Sequence, residues 1–290
     1  VDGVLLLDKP IGLTSNDALQ KVRRLFSAAK GGHTGTLDPM ATGLLPLCFG
    51  EATKFSADLL NADKTYEAVV KFGITTDSGD AEGKVIATAT VNVAENDIFR
   101  VLPQFTGAIQ QIPPMHSALK RDGRPLYELA RQGIVVEREA RAVTIYSLEV
   151  LAFTGDTLNL RVSCSKGTYI RVLASDIGDA LGCGGHLTAL RRTEIADLNL
   201  TNSVSLAELE AQDESQRLER LQPVDALLLS LPKMMIEGEA AERFSHGNPI
   251  ERPNELDGKI RVYADGRLIG VGEPGSDGRL WPKRLVQLAI

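Results

Sequence analysis

The twelve residues from Gly32 to Gly43 constrain the fold of this chain more than any other stretch. They include three glycines, three threonines and one proline, a composition that excludes a long helix or strand. The apolar run Leu44–Phe49 follows directly and is typical of a buried strand. The pattern therefore predicts an ordered loop that leads into the core and carries a single acid, Asp38.

The Asp38-Pro39 pair within this loop has two interpretations. Pro39 biases Asp38 towards an extended backbone. In the first interpretation, Asp38 is the N-cap of a short helical turn that begins at Pro39 and ends at Gly43. In the second, a rigid loop presents the Asp38 carboxylate and the imidazole of His33 to a bound molecule. The loop alone does not decide between them.

Length and composition limit the class of protein. A chain of 290 residues with 43% apolar residues is expected to form one large and one small domain, or two unequal domains. No apolar run approaches the ~20 residues that span a membrane, and Val4–Leu7 is too short for a signal peptide. The 3 cysteines are widely spaced and predict reduced thiols in a cytoplasmic protein. The 4 histidines lack metal-ligand spacing, so no metal site is expected.

The net charge is unevenly distributed along the chain. Its formal value of −6 argues only superficially against a nucleic-acid partner. Between Ser205 and Leu256 acidic residues outnumber basic residues by six, which accounts for the whole net charge. The rest of the chain is neutral overall and can carry basic patches. A polyanionic partner is therefore compatible with this sequence.

Apolar patterning predicts alternating strands and helices up to a boundary at Ser230–Pro232. Strands are predicted at Val4–Leu7, Thr65–Phe72, Val143–Val150, Thr157–Ser163 and, as the last of this region, His186–Ile195. Helices are predicted over Ala18–Phe26, Glu95–Phe105, Leu126–Arg131, Val172–Leu181 and, as one amphipathic helix, Leu206–Arg220. Beyond the boundary, short strands separated by Gly and Pro turns are typical of a small β-barrel.

The stretch from Ile112 to Gly133 combines cations with rings. Lys120, Arg121, Arg124 and Arg131 are interleaved there with His116 and Tyr127. Such a pattern suits phosphate contacts and base stacking in nucleic-acid binding. The alternative, a solvated connector with one short helix, is equally compatible with the residues.

Several other polar residues are interpreted from the predicted element in which they lie. Lys166, Tyr169 and Arg171 lie at a predicted strand–helix junction, where a helix N-terminus favours anions. Taken alone, Tyr66 at the start of a strand is a packing residue, and Lys9 in a turn-rich segment is a solvated lysine. The polar cluster Asp77–Gly83 does not follow the spacing of a calcium loop and is interpreted as a turn.

Five segments along nearly the whole chain resemble those of the bacterial tRNA pseudouridine-55 synthases, the TruB family. Each motif alone is modest evidence, whereas five in the family's order make accident implausible. The last of them resembles part of a short PUA RNA-binding domain. The segments are Leu7–Ser15 (LDKPIGLTS), Gly32–Pro39 (GHTGTLDP), Lys166–Arg171 (KGTYIR), His186–Arg192 (HLTALRR) and Phe244–Pro249 (FSHGNP).

The resemblance implies an α+β fold, with a mixed, mainly antiparallel central sheet, flanking helices and a small C-terminal PUA-like β-barrel. It places a catalytic domain over residues 1–231, with an RNA-clamp insertion at about 112–142, and the PUA-like domain over 232–290. The implied reaction is isomerisation of uridine 55 in the T loop of tRNA to pseudouridine. The implied partner is tRNA, gripped at its T arm and acceptor end by a cytoplasmic monomer that needs no protein partner. No cofactor and no metal are implied.

The resemblance also assigns residues to the site. Asp38 matches the catalytic aspartate, which either attacks C1′ of the sugar or removes a sugar proton. The matches to substrate-contacting positions are His33, Tyr66, Tyr169 and Leu190. Arg171 matches the arginine that pairs with the aspartate, and we expect it to keep the pKa of Asp38 low. Lys9 and Lys166 are assigned supporting roles.

Three alternatives share parts of this pattern. The first is the catalytic subunit of a guide-RNA pseudouridylation particle of the dyskerin type, which lacks the basic insertion and needs protein partners. The second is an RNA-binding or RNA-folding protein with a vestigial pocket. The third is an N-glycosidase that stops after bond cleavage and releases free uracil. Activity on bare tRNA, the effect of Asp38→Asn and the mass of the product distinguish them.

Overall fold

The computed structural model describes residues 1–117, 119–121, 123–251 and 257–287. Numbered in chain order, its strands are β1 Gly3–Lys9, β2 Gly31–His33, β3 Thr42–Phe49, β4 Lys64–Phe72, β5 Ile74–Thr76, β6 Val85–Thr88, β7 Gly107–Gln111, β8 Lys120–Arg121, β9 Arg124–Pro125, β10 Arg141–Thr154, β11 Thr157–Cys164, β12 Gly185–Ile195, β13 Leu198–Asn199, β14 Val204–Ser205, β15 Lys233–Met235, β16 Ile260–Ala264, β17 Arg267–Pro274 and β18 Leu280–Leu285. Its α-helices are α1 Ser15–Leu25, α2 Ser56–Leu60, α3 Glu95–Val101, α4 Leu126–Arg131, α5 Ile170–Ala180, α6 Leu206–Ala211, α7 Glu214–Glu219 and α8 Gly238–Ser245. Short 3-10 helices occupy Gly50–Phe55, Leu102–Phe105, Leu200–Asn202 and Val224–Leu228.

A ten-stranded sheet forms the centre of the fold. Its main path runs β14-β1-β3-β12-β4-β11-β10-β7, with β2 paired to β3 and β13 paired to β12. The pairs β1–β14 and β3–β12 are parallel and the other pairs are antiparallel. The expected α+β fold with a mixed, mainly antiparallel central sheet is therefore confirmed.

Strand burial explains why these segments pair at the centre of the sheet. β1 and β3 are apolar on both faces and buried almost throughout, because they lie between other strands with side chains packed above and below. β4 alternates strictly between buried and half-buried positions, so one of its faces meets the core. Helix α1 covers the sheet with Ala18, Leu19 and Val22, and a capping box between Thr14 and Asp17 sets its first turn.

The polar segment from Leu206 to Arg220 differs from the sequence prediction of one amphipathic helix. It forms the two short helices α6 and α7, each opened by its own capping box. Gln212 between them has an extended backbone, and the Asp213 carboxylate caps α7 by accepting from the Gln216 amide. The Asp213 cap provides a hydrogen-bond acceptor for an amide in the first turn of α7 that has no partner within the helix, so a second helix begins there. The prediction of a single helix was therefore wrong.

Two other boundaries were also predicted wrongly. Strand β12 is not the last strand of its region, because the two-residue strands β13 and β14 follow it. Helix α5 begins at Ile170, two residues before the predicted start, so Tyr169 is its N-cap residue and Arg171 lies in its first turn. The helix predicted over Glu95–Phe105 changes type beside Pro103, because α3 ends at Val101 and a 3-10 helix occupies Leu102–Phe105.

The last four described strands form a small sheet of order β15-β16-β17-β18, which packs against α8. Phe244 of α8 is fully buried in a separate apolar cluster with residues of this sheet. Tyr263, Leu268 and Val271 pack instead into a cluster that includes residues of β1 and β3. A small C-terminal β-domain is therefore confirmed, whereas its closure into a barrel stays a prediction. Among the described helices, none is long and apolar enough to cross a membrane.

Candidate active site

The loop that carries Asp38 is held by hydrogen bonds to its backbone groups, without a helical turn. The Ala41 amide donates to the Asp38 carbonyl at 3.0 Å, which closes a β-turn with Pro39 at its second position. Next to it, the Leu37 amide donates to the Ser15 hydroxyl at 2.8 Å. The N-cap interpretation of Asp38 was therefore wrong, and the second interpretation, a rigid loop presenting its carboxylate, agrees with the geometry.

Arg171 in the first turn of α5 ties this carboxylate to a second acid. Its Nε lies 3.0 Å from Oδ2 of Asp38, and its Nη1 lies 3.5 Å from Oδ2 of Asp80. The guanidinium also donates to the carbonyls of Ser78, at 3.3 Å, and His116, at 2.7 Å. Only 5% of Arg171 is exposed, so its cation has a fixed place between the two carboxylates.

Burial dominates the protonation of Asp38. It raises the pKa of the carboxyl above its ordinary value of 3.8, and the Arg171 charge opposes this without cancelling it. The Asp80 charge raises the pKa further. The expectation that Arg171 keeps the pKa of Asp38 low was therefore wrong, because loss of hydration outweighs the attraction of the guanidinium. About a third of the Asp38 side chain, 36%, is still exposed, so a bound molecule can reach it.

Asp38 opens into a cavity of about 250 Å³ that several predicted residues share. Its apolar walls are the rings of Tyr66 on β4 and Tyr169 directly before α5, together with the aliphatic side chain of Leu190 on β12. The lining residues are Gly35, Thr36, Leu37, Asp38, Leu60, Lys64, Tyr66, Ser117, Ser165, Gly167, Thr168, Tyr169, Ile170, Arg171, Leu190 and Arg192. The cavity therefore brings together one carboxylate, three cations and flat apolar walls.

Three predicted residues lie outside the lining of this cavity. Lys9 is fully buried, and its ammonium donates to the carbonyls of Pro10 at 2.8 Å and Leu13 at 2.7 Å, so the solvated-lysine interpretation was wrong. Burial lowers the pKa of Lys9 to about 8. Lys166 is exposed and donates to Asn61 at 2.8 Å.

His33 ends β2, just before the Asp38 loop. Its backbone pairs with Leu47 of β3. Its Nδ1 is buried and has no hydrogen-bond partner among the described residues. Burial, helped by the positive charge of Arg192, lowers the pKa of the imidazole below 6.5, which favours the neutral ring.

Three residues of the site escaped the sequence analysis. Asp80, assigned only to a turn, is 4% exposed and faces Arg171. Arg192 is 1% exposed and lies two positions after Leu190 on β12, so period-two alternation could have placed both on the cavity side. Lys64 opens β4, two residues before Tyr66, and the same alternation applies to it. For Asp80 no local pattern predicts the contact.

The basic stretch meets the site through its first part. The His116 carbonyl accepts from Arg171, and Ser117 lines the cavity. Further on, the guanidinium of Arg131 stacks 5.5 Å from the ring of Tyr127 on α4, which forms over Leu126–Arg131 as predicted. Ala118 and Asp122 lie outside the described residues. The stretch thus joins the cavity to a surface that exposes cations and a ring.

The described acidic side chains near the site make contacts within the protein that leave them no arrangement for a metal ion. In the described ranges, no group of three or more His, Cys, Asp or Glu side chains is arranged to hold a metal ion. The Asp77–Gly83 cluster forms the predicted turn, in which Oδ1 of Asp80 accepts from Ser78 at 2.6 Å and from the Glu82 amide at 3.0 Å. The acids here are therefore committed to the turn and to Arg171.

Comparison with known protein families gives matches over most of the chain. Residues 23–170 match the TruB family pseudouridylate synthase N-terminal domain. Residues 171–229 match the tRNA pseudouridylate synthase B C-terminal domain, and residues 232–286 match the C-terminal model of pseudouridine synthase II TruB.

Individual proteins agree with these family matches. The chain is 74% identical over 289 residues to the tRNA pseudouridine synthase B of Dechloromonas aromatica (strain RCB), covering 100% of this chain and 97% of that protein. It is 59% identical to the tRNA pseudouridine synthase B of Aromatoleum aromaticum, covering 99% of this chain and 93% of the relative.

A solved structure shares the fold. A chain in the crystal structure of a Cbf5-Nop10-Gar1 complex superposes with a TM-score of 0.72 at 29% identity, covering 93% of this chain and 78% of that chain. A family model that matches more than half of the sequence and a full-length relative of 74% identity lead to the same conclusion. The chain belongs to the TruB family of pseudouridine synthases.

Proposed function

We propose that this protein converts uridine 55 in the T loop of tRNA to pseudouridine. The observation that carries the proposal is the ion pair of 3.0 Å between Asp38 and Arg171 inside a cavity walled by rings. The reaction breaks the C1′–N1 bond, turns the uracil and joins C1′ to C5. No atom is gained or lost and nothing is oxidised, so the side chains of the cavity suffice without a cofactor.

Asp38 acts at the sugar. As a nucleophile its carboxylate forms a bond to C1′ while the C1′–N1 bond breaks, and as a base it removes a neighbouring sugar proton. Both routes require the ionised carboxylate. Arg171 supplies its counter-charge and fixes its direction, because a guanidinium held by two acids and two carbonyls cannot turn away.

The rings of the cavity hold the base while it is detached from the sugar. Tyr66 stacks on the uracil and helps the C5 proton to leave, and Tyr169 and Leu190 close the pocket around it. These three side chains are buried or half-buried, so the free base turns in a confined apolar space. Confinement keeps C5 within reach of C1′ and favours rejoining over release of uracil.

The target nucleotide must leave its stack to reach Asp38. Extrusion costs a few kcal/mol, and a group that fills the gap recovers part of this cost. His33 is suited to that role, because its imidazole is biased towards the neutral form and its Nδ1 lacks a partner in the described protein. Discrimination then depends on T-loop shape and splayed bases, since RNA duplexes are hard to read by sequence.

The remaining RNA contacts are assigned to two regions. We assign residues 1–231 to the catalytic domain, with a clamp at about 112–142 that grips the T arm. We assign residues 232–290 to a PUA-like domain that meets the acceptor end. Lys166, exposed beside the cavity, supports the RNA backbone, whereas Lys9 supports the site from inside by holding carbonyls of the loop before α1.

The protein is further proposed to act as a cytoplasmic monomer without an obligate protein partner. Three free, buried cysteines are typical of a reducing compartment. The chain of similar fold was solved as part of a Cbf5-Nop10-Gar1 complex, so a subunit that depends on protein partners is the alternative to be tested. The basic clamp of the present chain, joined directly to the cavity, favours unassisted recognition of tRNA.

The test is conversion of unmodified tRNA by purified protein alone. Pseudouridine is mapped by carbodiimide modification and primer extension, and the rate is followed by release of tritium from C5. We expect one modified position, uridine 55, with no free uracil and no mass change. Product at another position, or activity only after partner proteins are added, would contradict the proposal.

The matched variants are Asp38→Asn and Asp265→Asn. Asp265 is an exposed turn residue of the small C-terminal sheet with φ +49°, a conformation that asparagine also adopts. We expect Asp38→Asn to bind tRNA and form no pseudouridine, and Asp265→Asn to match the unmodified protein. Residual turnover in Asp38→Asn would exclude this carboxylate as the reacting group.

A further inference from the structure

Arg192 is the largest fully buried side chain of the described protein, and the proposed reaction leaves it unexplained. Its Nε donates to the Leu44 carbonyl at 2.8 Å, and its Nη2 donates to the Gly35 carbonyl at 3.2 Å. Among the described residues no carboxylate lies within ion-pair distance of it. A buried cation without an acid is costly, so the site gains from the charge itself.

The register of the sheet places this cation against Tyr66. Arg192 on β12 lies directly opposite Tyr66 on β4 in an antiparallel pair. Side chains of directly opposed residues share one face of the sheet and contact each other. Both line the cavity, and the positive charge of the guanidinium acts on the Tyr66 hydroxyl by lowering its pKa.

We infer that Arg192 is a positioning residue for Tyr66, which orients the phenol and supplies the counter-charge for a phenolate that takes the C5 proton. This inference rests on the proposed role of Tyr66. In this arrangement Asp38, paired with Arg171, acts at the sugar. Tyr66, beside Arg192, acts at the base.

The step balances without any outside reagent. Once C1′ is bonded to C5, the phenolate oxygen of Tyr66 removes the proton from C5. The electron pair of the C5–H bond forms C5=C6, the C6=N1 pair moves to N1, and N1 takes a proton from water. Tyr66 is then a neutral phenol and returns this proton to water before the next turnover, so the proton lost from C5 balances the proton gained at N1. Arg192 stays a cation throughout.

Other ionisable groups also face Tyr66. Asp38 faces it from the loop and Cys164 faces it from β11. Lys64 lies two residues earlier on β4, and its ammonium donates to the carbonyls of Leu60, at 3.3 Å, and Ala62. Burial raises the pKa of Tyr66, as do Cys164 and the Asp38 charge, and Arg192 is the group that opposes them. The phenolate that the step requires therefore depends on the Arg192 charge.

The experiment uses the full-length protein and tRNA with deuterium or hydrogen at C5 of uridine 55. Single-turnover rates are measured for Arg192→Gln, Arg192→Lys, Tyr66→Phe and the double variant Tyr66→Phe/Arg192→Gln. We expect Arg192→Gln to slow turnover on the order of 10–100-fold and to show a primary isotope effect, because loss of the C5 proton becomes rate-limiting. Arg192→Lys keeps a cation and is expected to lose less, with a smaller isotope effect.

The double variant separates positioning from a general structural role. If Arg192 acts through Tyr66, Arg192→Gln costs little more once Tyr66 is phenylalanine. The inference would be overturned if an Arg192 variant were slower without an isotope effect. It would also be overturned if Arg192→Gln reduced the rate by the same factor in the unmodified protein and in Tyr66→Phe. If Arg192→Gln does not fold, Arg192→Lys is judged by the same two criteria.

Failure of the proposed function gives a different result. If Tyr66→Phe keeps the unmodified rate without an isotope effect, Tyr66 has no role at C5 and the assignment on which this inference rests is wrong. If Tyr66→Phe shows the isotope effect and the Arg192 variants do not, only the inference about Arg192 is refuted.

Discussion

Replacement of Arg171 by methionine tests the charge arrangement at the core of the site. The side chain is 5% exposed, and methionine fills much of its volume without its charge. The change leaves Asp80, which is 4% exposed, and Asp38 without their guanidinium. Removing one partner from a buried ion pair costs about 3–5 kcal/mol, because the remaining charge stays desolvated.

Most of this cost falls on Asp80, since Asp38 is more than a third exposed and water compensates part of its loss. We therefore expect the free energy of unfolding to fall by about 3 kcal/mol and the Tm to drop by on the order of 10 °C. Urea titration followed by circular dichroism measures the first quantity, and a thermal scan measures the second. Tritium release from tRNA measures activity in the same samples, and we expect none.

A double-mutant cycle gives the control. Asp80→Asn alone and Arg171→Met/Asp80→Asn are measured beside the single Arg171 variant. With the second charge removed as well, the double variant is expected to be less destabilised than the sum of the two single variants, by about 1–3 kcal/mol. Strict additivity, or a loss below about 1 kcal/mol in Arg171→Met, would refute the account of a buried charge pair.

Three other variants test single features of the site. Burial raises the pKa of Asp38, so above pH 4 the ionised carboxylate is less favourable in the folded state than in the unfolded state. The free energy of unfolding of Asp38→Asn is therefore expected to match or exceed that of the unmodified protein at pH 7.5. Urea unfolding at acid pH is expected to show that this advantage is lost. The acid limb of the pH–rate profile is expected at a pH above the ordinary pKa range of aspartate, because the pKa of Asp38 is raised. Asp80→Asn is expected to move this limb to lower pH, because the Asp80 charge raises the pKa of Asp38. A limb at the same pH in Asp80→Asn would exclude this coupling. Gly43 has φ +99°, and a Cβ at this position would lie 2.3 Å from the carbonyl oxygen of Arg192. Gly43→Ala is therefore expected to lower the free energy of unfolding by more than about 2 kcal/mol. The control is Gly12→Ala, where φ is +88° but a Cβ would have no neighbour within 4 Å, and its loss is expected to be about half as large.

Local patterns in the sequence determined the elements near the site. Glycines, threonines and a proline predicted a loop over Gly32–Gly43, because those residues disfavour regular structure. The loop is confirmed for residues 34–41, whereas both ends of the predicted segment pair as parts of β2 and β3. Alternation predicted β4, and the apolar period predicted α1 and α5 to within a few residues. The five motifs together were sufficient to identify the family, and two of them contain Asp38 and Arg171, whose side chains lie 3.0 Å apart.

The tertiary structure alone decided which groups meet. Arg192 reaches Tyr66 only because β12 lies beside β4 in one register, and Asp80 reaches Arg171 from a separate turn. Lys9 is buried because the loop before α1 and the Asp38 loop surround its ammonium, which donates to the Leu13 carbonyl at 2.7 Å and the Pro39 carbonyl at 3.5 Å, although its local sequence is that of an exposed loop. Loss of hydration, which reversed the expected pKa of Asp38, is likewise a property of the assembled cavity. Contacts between distant segments and burial depend on the order and register of the whole sheet, so no stretch of the chain encodes them by itself.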